Sequence, residues 1–378
     1  MRIGIDARMY GPKVGGGGLG RYVEQLINQL QTIDHQNRYV LFLKPENYSA
    51  CALTNKNFSK QKIDLHWYTL REQLSLAKKI DAAKLDLVHF PHWNVPLNLK
   101  TPFVVTIHDL ILLEEPLSSH ASTRHPLIHR VKYQGFKIVL RRALTKSQKI
   151  IAVSEYTKQS ILKYFPQIPA DKITVIYEGV TNLTHPSSTL PPPSLPTSPP
   201  APYFLYVGNA YPHKNLESLM HAFSFFNKIQ PEVKLVLAGR QDSFYEGLKK
   251  ELSELDVPAK NIIFKMNPSD QELQALYQSA TLYLFPSRSE GFGLPALEAM
   301  QAGTPVAAAD NSSLPEILGD AALYFAPDDL EAMVAIMKKA LADKKLRQEL
   351  TDKGYQRIKQ FSWTALANQT LAIYQSAS

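Results

Sequence analysis

The sequence predicts a two-domain α/β protein in which each domain is built on a doubly wound parallel sheet. The chain has 378 residues, 44% of them hydrophobic and 20% charged, which is enough to bury two cores. Short β-rich runs alternate with helical periods in both halves, the pattern of strand-helix-strand units. Residues 185–202, HPSSTLPPPSLPTSPPAP, are too rich in proline and serine for either element and indicate a semi-rigid linker.

Residues 1–184 form the predicted N-terminal domain. Its helical periods cover Gly20 to Ile33, a long stretch that ends at Thr145, and the segment VSEYTKQSILKYF. The β-rich runs between them are RIGIDA, RYVLFL, DLVHF, PFVVTI and KIIAV. Because the carboxyl ends of parallel strands share one edge of the sheet, functional side chains should follow these runs.

Residues 203–360 form the predicted C-terminal domain. The remainder from Leu330 is helical with a break at residues 361–363, and we expect a helix over 361–378 to pack back on the first domain. We also expect the strand ends of the two domains to face one cleft. The β-rich runs are YFLYVG, KLVLAG, NIIF, LYLF, PVAAA and ALYF, and helices are predicted from Asn215, near Tyr245, from Asp270 and at Pro295.

Composition predicts a cytoplasmic chain without a membrane-spanning helix. The single cysteine, Cys51, cannot form an intramolecular disulfide. The start MRIGIDARMY is strand-like and lacks the charged and apolar regions of a signal peptide. The apolar runs fall short of the ~20 residues that a spanning helix needs.

The formal net charge of +8 is concentrated in the first half, where residues 124–149 form a basic stretch. No acidic residue occurs between Pro116 and Ser154. The stretch can face the anionic lipid of a cytoplasmic membrane face or a phosphorylated acceptor, and equally it can be a solvated helix face. Nucleic acid is disfavoured, because no stacking-aromatic pattern accompanies the charges. The basic residues are Arg124, Arg130, Lys132, Lys137, Arg141, Arg142, Lys146 and Lys149.

Residues 287–306, SRSEGFGLPALEAMQAGTPV, are the most informative part of the chain. They follow the run LYLF and open a helix at Pro295, a residue type suited to the first helical position. The N–H groups of Phe292, Gly293 and Leu294 then point out of the helix start, where the macrodipole favours negative charge. We therefore predict that a diphosphate binds there.

Two glutamates flank this helix start. Glu290 lies in the loop before the helix and Glu298 lies in its first turns, so both can contact one ligand. Carboxylates are good acceptors for sugar hydroxyls. The alternative interpretation is that Glu298 is a surface acid and that Glu290 pairs with Arg288.

The loop YVGNAYPHKNL is a second candidate for phosphate binding. Its strand ends at Gly208, and Lys214 stands just before a helix, where its ammonium can reach a diphosphate as a point charge. Asn209 follows the glycine, and the next predicted strand is followed by Arg240. An ordinary exposed loop lysine is the alternative for Lys214.

Gly15 to Gly20, GGGGLG, match the dinucleotide pattern G-x-G-x-x-G. The match is weak because MYGPKV separates these glycines from the first strand. They fit better as a mobile loop in which Gly16 and Gly17 let the backbone approach a phosphate.

Histidines follow two β-rich runs of the first half. His108 and Asp109 come after VVTI, where side chains should face the cleft, and we expect Asp109 to hold His108 or the adjacent loop. A buried structural histidine is the alternative. The segment DLVHFPHWNVP places His89, His92 and Trp93 where they can shape an acceptor pocket, although core packing explains Trp93 equally well. Their spacing does not predict a metal site.

The chain resembles a known family through the motif E-G-F-G-L-P-x-L-E, which runs from Glu290 to Glu298 and continues with Gly303, Thr304 and Pro305. It is similar to the retaining GT-B glycosyltransferases of family 4, also called glycosyl transferases group 1, over nearly its whole length. The resemblance implies two Rossmann-like domains, the first for the acceptor and the second for a nucleotide sugar.

The resemblance also implies roles for single residues. Glu290 contacts the donor sugar and His108 lies near the sugar and acceptor, so these two are the catalytic candidates. Glu298 holds the ribose. Asn209 stands where the family often has arginine, so Arg240 or the helix start must supply the missing charge. The donor-binding candidates are Gly16, Gly17, Gly208, Asn209, Lys214, Arg240, Phe292, Gly293, Leu294 and Glu298.

The expected function is retaining transfer of a hexose from a nucleoside-diphosphate sugar to a glycan or lipid-linked acceptor. GDP-mannose is favoured over a UDP-sugar, because chains with the V-G-N-x-Y-P-H-K-N loop resemble mannosyltransferases. The sequence has no Asp-x-Asp pair, which predicts activity without a metal, and we expect no cofactor. The alternatives are a nicotinamide-dependent oxidoreductase, a sugar phosphorylase or epimerase of the same architecture, and a non-catalytic sugar-binding protein.

Overall fold

The computed structural model describes residues 1–115, 126–180 and 202–377, without the side chains of residues 12 and 126–129. These residues form two compact units. The first unit contains residues 1–110, 126–179 and 362–377, and the second contains residues 111–115, 180 and 202–361. Arg124 and residues 185–201 of the predicted linker lie outside the described residues.

The first unit contains a parallel sheet whose interior strands are buried. All residues of its central strands Leu87–Phe90 and Phe103–Ile107 are buried, as expected for a parallel sheet. The strands are β1 (Arg2–Asp6), β2 (Arg38–Leu43), β3 (Phe58–Lys62), β4 (Leu87–Phe90), β5 (Phe103–Ile107), β6 (Lys149–Ala152) and β7 (Ile173–Val175). Their spatial order is β3-β2-β1-β4-β5-β6-β7, so the winding direction reverses between β1 and β4.

The second unit repeats this architecture. Its strands are β8 (Tyr203–Val207), β9 (Lys234–Gly239), β10 (Ile262–Met266), β11 (Leu282–Phe285), β12 (Val306–Ala309) and β13 (Ala322–Phe325). They are parallel in the order β10-β9-β8-β11-β12-β13, which reverses between β8 and β11. Ligands of open α/β sheets bind at such reversals, outside the carboxyl ends of the strands.

Helices connect these strands, and several begin at a side-chain cap. Ser154, Asp242 and Ser269 accept hydrogen bonds from the first turns of their helices, which satisfies otherwise unpaired N–H groups. The helices are α1 (Pro12–Gly15), α2 (Gly17–Ile33), α3 (Pro45–Tyr48), α4 (Leu70–Ala82), α5 (Ile111–Glu114), α6 (Pro126–Lys146), α7 (Glu155–Tyr164), α8 (Leu216–Asn227), α9 (Ser243–Glu251), α10 (Asp270–Ser279), α11 (Leu294–Gln301), α12 (Leu314–Leu318), α13 (Leu330–Ala342), α14 (Lys344–Arg357) and α15 (Trp363–Ser376).

The glycine-rich segment differs from its prediction. Gly15 ends α1 and Gly17 begins α2, so the expected loop is helical on both sides of Gly16. A Cβ on Gly15 would lie 2.0 Å from the carbonyl oxygen of Met9, which explains why a glycine is needed at that position. The sequence pattern also missed the polar edge strand β3, the short strand β7 and the helix α4.

The final helix α15 belongs to the first unit and joins its core through a buried polar chain. The Tyr374 hydroxyl lies 2.7 Å from Nδ1 of His89, and Nε2 of His89 lies 2.8 Å from the hydroxyl of Thr106. Thr106 in turn contacts the hydroxyl of Tyr22 in α2 at 3.0 Å. Burial lowers the pKa of His89 to about 3, so its ring is neutral and acts as donor and acceptor in this chain.

Within the described ranges, no helix is both long enough and apolar enough to span a membrane.

Tyr374→Phe should destabilise the first unit. It leaves a buried ring nitrogen of His89 without its partner, at a cost of about 1–3 kcal/mol. Urea unfolding measures this loss. Tyr48→Phe is the matched control, because the Tyr48 ring keeps its contact with Lys60. Equal stability of the two variants would contradict a role for this chain in docking α15.

Candidate functional site

The predicted donor-binding residue Lys214 and the predicted catalytic residue Glu290 meet at the strand reversal of the second unit. Nζ of Lys214 lies 2.6 Å from Oε1 of Glu290, and both side chains are largely buried. Lys214 follows β8 and Glu290 follows β11, and these two strands are neighbours in the sheet. The ammonium also lies 5.9 Å from the ring centroid of Phe285. The side chains are thus concentrated where a parallel sheet binds ligands.

The loop that carries Glu290 is fixed by side chains from the segment after β12. The Glu290 N–H donates to the Ser312 hydroxyl at 3.1 Å, and the Glu290 carbonyl accepts from the Ser313 hydroxyl at 2.9 Å. Asn311 donates to the carbonyl of Arg288 at 2.6 Å. The neighbouring Ser289 donates to Glu114 of α5 at 2.8 Å. These bonds hold the main chain of the loop without using the Glu290 carboxylate.

Lys214 is positioned by the residue that follows it. Asn215 has a left-handed backbone, with φ of 59°, and ends the short 3-10 turn Pro212–Lys214. Its amide donates to the carbonyls of Pro286 at 3.2 Å and Pro327 at 2.6 Å. The lysine loop is therefore attached to the end of β11, next to the loop of Glu290.

The environments of Glu290 and Glu298 contradict the alternative interpretation of these two residues. Glu298 is buried in α11 and accepts a hydrogen bond from the hydroxyl of Tyr277 at 3.2 Å, so it is not a surface acid. Arg288 pairs with Asp328 at 2.6 Å, while Glu290 pairs with Lys214. Glu290 and Glu298 are thus both buried hydrogen-bond acceptors. Glu290 lies in the loop and Glu298 in the helix that the signature motif forms.

The helix start predicted at Pro295 lies one residue earlier. Leu294 is the first residue of α11, and Gly293 precedes it with φ of 100°, a conformation that favours glycine. Pro295 is then the second helical residue, a position whose N–H has no partner within a helix, so proline is still tolerated there. Phe292 and Leu294 are buried, so this segment can offer main-chain groups to a ligand more readily than side chains.

Three buried tyrosines hold the loop after β8, a feature that the sequence pattern missed. Tyr283 donates to the carbonyl of Val207 at 3.2 Å, Tyr245 to that of Gly208 at 2.9 Å, and Tyr206 to that of Asn209 at 2.7 Å. Burial raises the pKa of all three hydroxyls, so they remain protonated donors. In a trans peptide the C=O and the following N–H point in opposite directions. The N–H groups of Asn209 and Ala210, which follow the carbonyls of Gly208 and Asn209, therefore point away from the tyrosine hydroxyls.

Asn209 stands where the related family often has an arginine, and its side chain supplies no positive charge to a ligand. The Asn209 amide oxygen faces its own loop, 3.5 Å from the N–H of Tyr211. Arg240 is exposed at the end of β9, the strand that neighbours β8. Main-chain N–H groups and Arg240 are therefore the donors available beside Lys214 at this sheet edge.

The first unit places His108 at the end of β5, with both ring nitrogens on acceptors. Nδ1 lies 3.0 Å from Oε1 of Glu178, and Nε2 lies 2.9 Å from the carbonyl oxygen of Pro91. A carbonyl can only accept, and an ionised carboxylate can only accept, so this geometry favours the doubly protonated ring. Burial alone lowers the pKa of His108, but the hydrogen bond and charge of Glu178 outweigh it and raise that pKa.

This geometry changes the role that can be given to His108. An imidazolium with two occupied nitrogens is a fixed positive charge rather than a general base. We expected Asp109 to hold the ring or the adjacent loop. The carboxylate bonded to the ring is Glu178, and the charge of Asp109 also raises the pKa of His108. Glu178 follows the three-residue strand β7, and recognition of that strand would have placed it at the same sheet edge as His108.

A small cavity lies at the strand reversal of the first unit. Its volume is about 10 Å³, room for one water-sized group. Arg8 pairs with Asp6 at 2.7 Å and with Glu72 at 2.6 Å, and Nδ1 of His92 is buried without a hydrogen-bond partner among the described residues. Burial lowers the pKa of His92 to about 3, so its ring is neutral. The lining residues are Asp6, Arg8, Met9, Val23, Pro91, His92 and Asn94.

The remaining predicted residues of the first unit lie in different environments. His89 is fully buried in the polar chain of the core and cannot line a pocket. Trp93 is half-buried and contacts the rings of Tyr68 and Phe136. Gly16 and Gly17 are exposed at the start of α2, with φ of 74° and 45°, and a Cβ on either would meet nothing within 4 Å.

Gly208→Ala should destabilise the second unit. A Cβ there would lie 2.5 Å from the buried hydroxyl of Tyr206, and overpacking of this kind costs about 1–3 kcal/mol. The measurement is the free energy of urea unfolding. Gly247→Ala in α9 is the control, because its Cβ would meet nothing within 4 Å and alanine should stabilise the helix by about 0.5–1 kcal/mol. Equal effects at the two sites would show that the loop after β8 is not tightly held.

Glu178→Gln should lower the pKa of His108, which NMR titration of the imidazole measures. A pKa raised by folding stabilises the folded state below the unfolded value of about 6.5, and the stabilisation disappears as pH rises through the folded value. The variant should therefore lose most stability near pH 6 and little near pH 9.

His108→Asn provides the control for this pH dependence. In that background no imidazole titrates at this position, so Glu178→Gln should have a cost that does not vary over the same pH range. A cost that is the same at both pH values in the wild-type background would contradict the ion pair.

Comparisons with known proteins match both halves of the chain. Residues 16–181 match the model of glycosyltransferase family 4, and residues 192–357 match that of glycosyl transferases group 1. O-antigen chain mannosyltransferase B of Escherichia coli is 28% identical over 378 residues, which cover 95% of this chain and 96% of that protein. O-antigen chain mannosyltransferase RfbU of Salmonella typhimurium is 28% identical over 288 residues, 76% of this chain and 73% of that protein.

A solved structure supports the fold. Anabaena Alr3699/HepE, crystallised in complex with UDP and glucose, is 17% identical and superposes with a TM-score of 0.73 over the full length of both chains. The two family models match successive halves of this chain, and each half carries its own parallel sheet. The chain therefore belongs to the family 4 glycosyltransferases, the glycosyl transferases group 1, and has the two-domain α/β fold called GT-B.

Proposed function

We propose that this glycosyltransferase transfers a hexose, with retention of anomeric configuration, from a nucleoside-diphosphate sugar to a glycan or lipid-linked acceptor. The observation that carries the proposal is the contact between Lys214 and Glu290 at the strand reversal of the second unit. A cation suited to phosphate and a carboxylate suited to sugar hydroxyls lie side by side there. A nucleotide sugar needs these two groups at adjacent positions.

The leaving diphosphate gains negative charge as the glycosidic bond breaks, and the second unit has donors for it. In the proposal Lys214 contacts the diphosphate, together with the N–H groups after Gly208 and at the start of α11. These main-chain donors, with Arg240, compensate for the asparagine at position 209. The proposal requires no metal for this stabilisation.

Glu290 has a positioning role in this proposal. Its carboxylate is bound to Lys214, and its main chain is held by Ser312 and Ser313, so it can orient the sugar hydroxyls relative to the diphosphate. Glu298 is proposed to bind the ribose. Retention would then follow from attack on the same face as the leaving group, whose phosphate oxygen accepts the proton of the acceptor hydroxyl.

The proposed donor is GDP-mannose. Both curated relatives described above are named mannosyltransferases, and one of them matches this chain nearly end to end. A UDP-sugar is the second candidate, because the superposable Anabaena protein was solved with UDP and glucose. The acceptor is proposed to bind at the strand ends of the first unit, where His108 is a fixed positive charge and Arg8 and His92 line a small cavity.

The alternatives from other classes are weaker. Membership of a glycosyltransferase family argues against a nicotinamide-dependent oxidoreductase, and the glycines that suggested it are helical. A phosphorylase or epimerase would use the same architecture with a different acceptor. Transfer to free phosphate, or isomerisation of the donor alone, would identify these activities.

Thermal denaturation with GDP-, UDP- and ADP-sugars and with NAD, each with and without a chelator, tests the proposal. A ligand at ~100 times its dissociation constant stabilises by ~2.7 kcal/mol, so one class of donor should raise the melting temperature. We expect the largest shift with GDP-mannose and none with NAD. A shift with NAD alone, or a shift that the chelator abolishes, would overturn the corresponding part of the proposal.

Glu290→Ala tests whether the Glu290 carboxylate positions the donor sugar. Turnover should fall by about 10²-fold because the sugar is misplaced, while the protein stays folded. Glu331→Ala, at an exposed glutamate of α13, is the matched control and should retain full turnover. Normal turnover of Glu290→Ala would refute the assigned role.

A further inference from the structure

An exposed aromatic ring lies at the carboxyl edge of the first sheet, in the segment between β3 and α4. Tyr68 is 51% exposed and stacks on Trp93, with ring centroids 5.3 Å apart and planes inclined by 29°. Trp93 follows β4 and contacts Phe136 of α6 edge-on at 4.8 Å. Because β3 and β4 end at the same edge of the sheet, two separate connections build one ring surface there. Tyr68 and Trp93 together are the aromatic platform.

The main chain of Tyr68 has an unfavourable conformation. Its φ is 63°, in the left-handed region that bulky side chains rarely occupy. The N–H of Tyr68 donates to Oε2 of Glu72 at 2.7 Å, which holds this conformation. Residues with strained backbones are concentrated at sites that bind ligands or carry out chemistry. The conformation of Tyr68 therefore indicates that its exposed ring serves a function.

A buried polar network attaches Tyr68 to the strand reversal of the first unit. Glu72 pairs with Arg8 at 2.6 Å, and its two carboxylate oxygens accept hydrogen bonds from the amide of Asn94 at 2.8 and 2.9 Å. Arg8 follows β1 and Asn94 follows β4. Arg8 and Asn94 also line the small cavity described above, so the aromatic platform and the cavity are held by the same side chains.

The cavity offers a hydrogen-bonding group beside the aromatic platform. The His92 ring centroid lies 4.7 Å from that of Trp93 and 6.0 Å from that of Tyr68. Nδ1 of His92 is buried and has no hydrogen-bond partner in the part of the chain that the structure describes. A cavity of about 10 Å³ has room for a single hydroxyl, which would satisfy this nitrogen.

The charges around the cavity do not suit an anionic ligand. Arg8 pairs with Asp6 at 2.7 Å and with Glu72 at 2.6 Å, so one positive and two negative charges leave a net negative charge. His92 adds no positive charge, because burial lowers its pKa to about 3. A phosphate would be repelled by the excess carboxylate, whereas a neutral ligand with hydroxyl groups would not.

We propose that the aromatic platform and the cavity bind a neutral pyranose sugar of the acceptor. The C–H groups on one face of the pyranose pack on the exposed ring of Tyr68, and one hydroxyl bonds to Nδ1 of His92. Sites for small ligands commonly combine aromatic walls with a few placed polar groups in this way. The inference rests on the proposed glycosyl transfer and assigns a substrate class to its acceptor site, an uncharged glycan rather than a phosphorylated acceptor.

Saturation-transfer NMR of the full chain with small sugars tests this inference. The probes are the methyl α-glycosides of mannose, glucose and galactose, each compared with the 6-phosphate of the same sugar. At least one neutral glycoside should bind and receive saturation at its ring C–H protons, and its phosphate should bind about tenfold more weakly because of charge repulsion. Binding of the phosphates alone, or of none of the probes, would overturn the proposal.

Tyr68→Asn locates the bound glycoside. Asparagine removes the ring but tolerates the left-handed backbone, so the loop should keep its conformation. The dissociation constant of the glycoside should rise about tenfold through the lost ring contact. Tyr68→Phe keeps the ring and should bind the glycoside more tightly than Tyr68→Asn does.

Tyr164→Asn is the matched control for Tyr68→Asn. Tyr164 is 37% exposed at the end of α7, a helix that leads back to the amino edge of the same sheet. Its replacement should leave glycoside binding unchanged. Equal losses at positions 68 and 164, or no loss at position 68, would refute the aromatic platform. The melting temperatures of both variants identify any loss of binding that results from unfolding.

His92→Phe tests the hydrogen bond at the cavity separately. Phenylalanine keeps a ring beside Trp93 but has no nitrogen, so glycoside binding should weaken although the aromatic platform is intact. Unchanged affinity in this variant would show that the sugar hydroxyl does not bond to His92.

Failure of this inference can be distinguished from failure of the proposed function. If a nucleotide sugar raises the melting temperature of the wild-type protein but glycoside binding does not depend on Tyr68, the donor proposal stands and the aromatic platform is refuted. If glycoside binding depends on Tyr68 but no nucleotide sugar raises the melting temperature, the sugar site stands and the proposed donor is refuted.

Discussion

The parallel sheet imposes the constraint on which the candidate donor site depends. Every strand of a parallel sheet ends at the same edge, and where the strand order reverses, two adjacent connections diverge and leave space between them. In the second unit these connections follow β8 and β11, and they carry Lys214 and Glu290. Residues separated by more than seventy positions are thereby brought within 2.6 Å of each other.

Much of the precision of this site comes from side chains that carry no proposed role in binding. Ser312 and Ser313 fix the main chain of Glu290, and three tyrosine hydroxyls fix consecutive carbonyls after β8. Each hydroxyl satisfies a buried main-chain group and also sets its direction, so the peptide N–H groups opposite it are oriented in advance. Preorganised donors of this kind need no rearrangement when charge develops on a leaving group.

The sequence predicted most of the strands because hydrophobic runs of parallel sheets are easily recognised, and the signature motif located Glu290 and Glu298. It missed β3 because that edge strand is polar, and it missed Glu178 because β7 has only three residues. The glycine-rich segment was predicted to be a mobile loop, although it is helical on both sides of Gly16 and Gly15 packs closely against Met9. A contact between distant segments, such as that of Glu178 with His108, cannot be predicted from a local sequence pattern.

The position of α15 in the first unit has a consequence for synthesis of the protein on the ribosome. Tyr374 completes a polar chain that begins in β4, across a separation of 285 residues. The second unit is complete once Phe361 has been translated, whereas the first must wait for α15, which follows the whole second unit. The nascent first half therefore emerges with an uncovered surface on α2, and a chaperone that shields this surface would protect the chain during the interval.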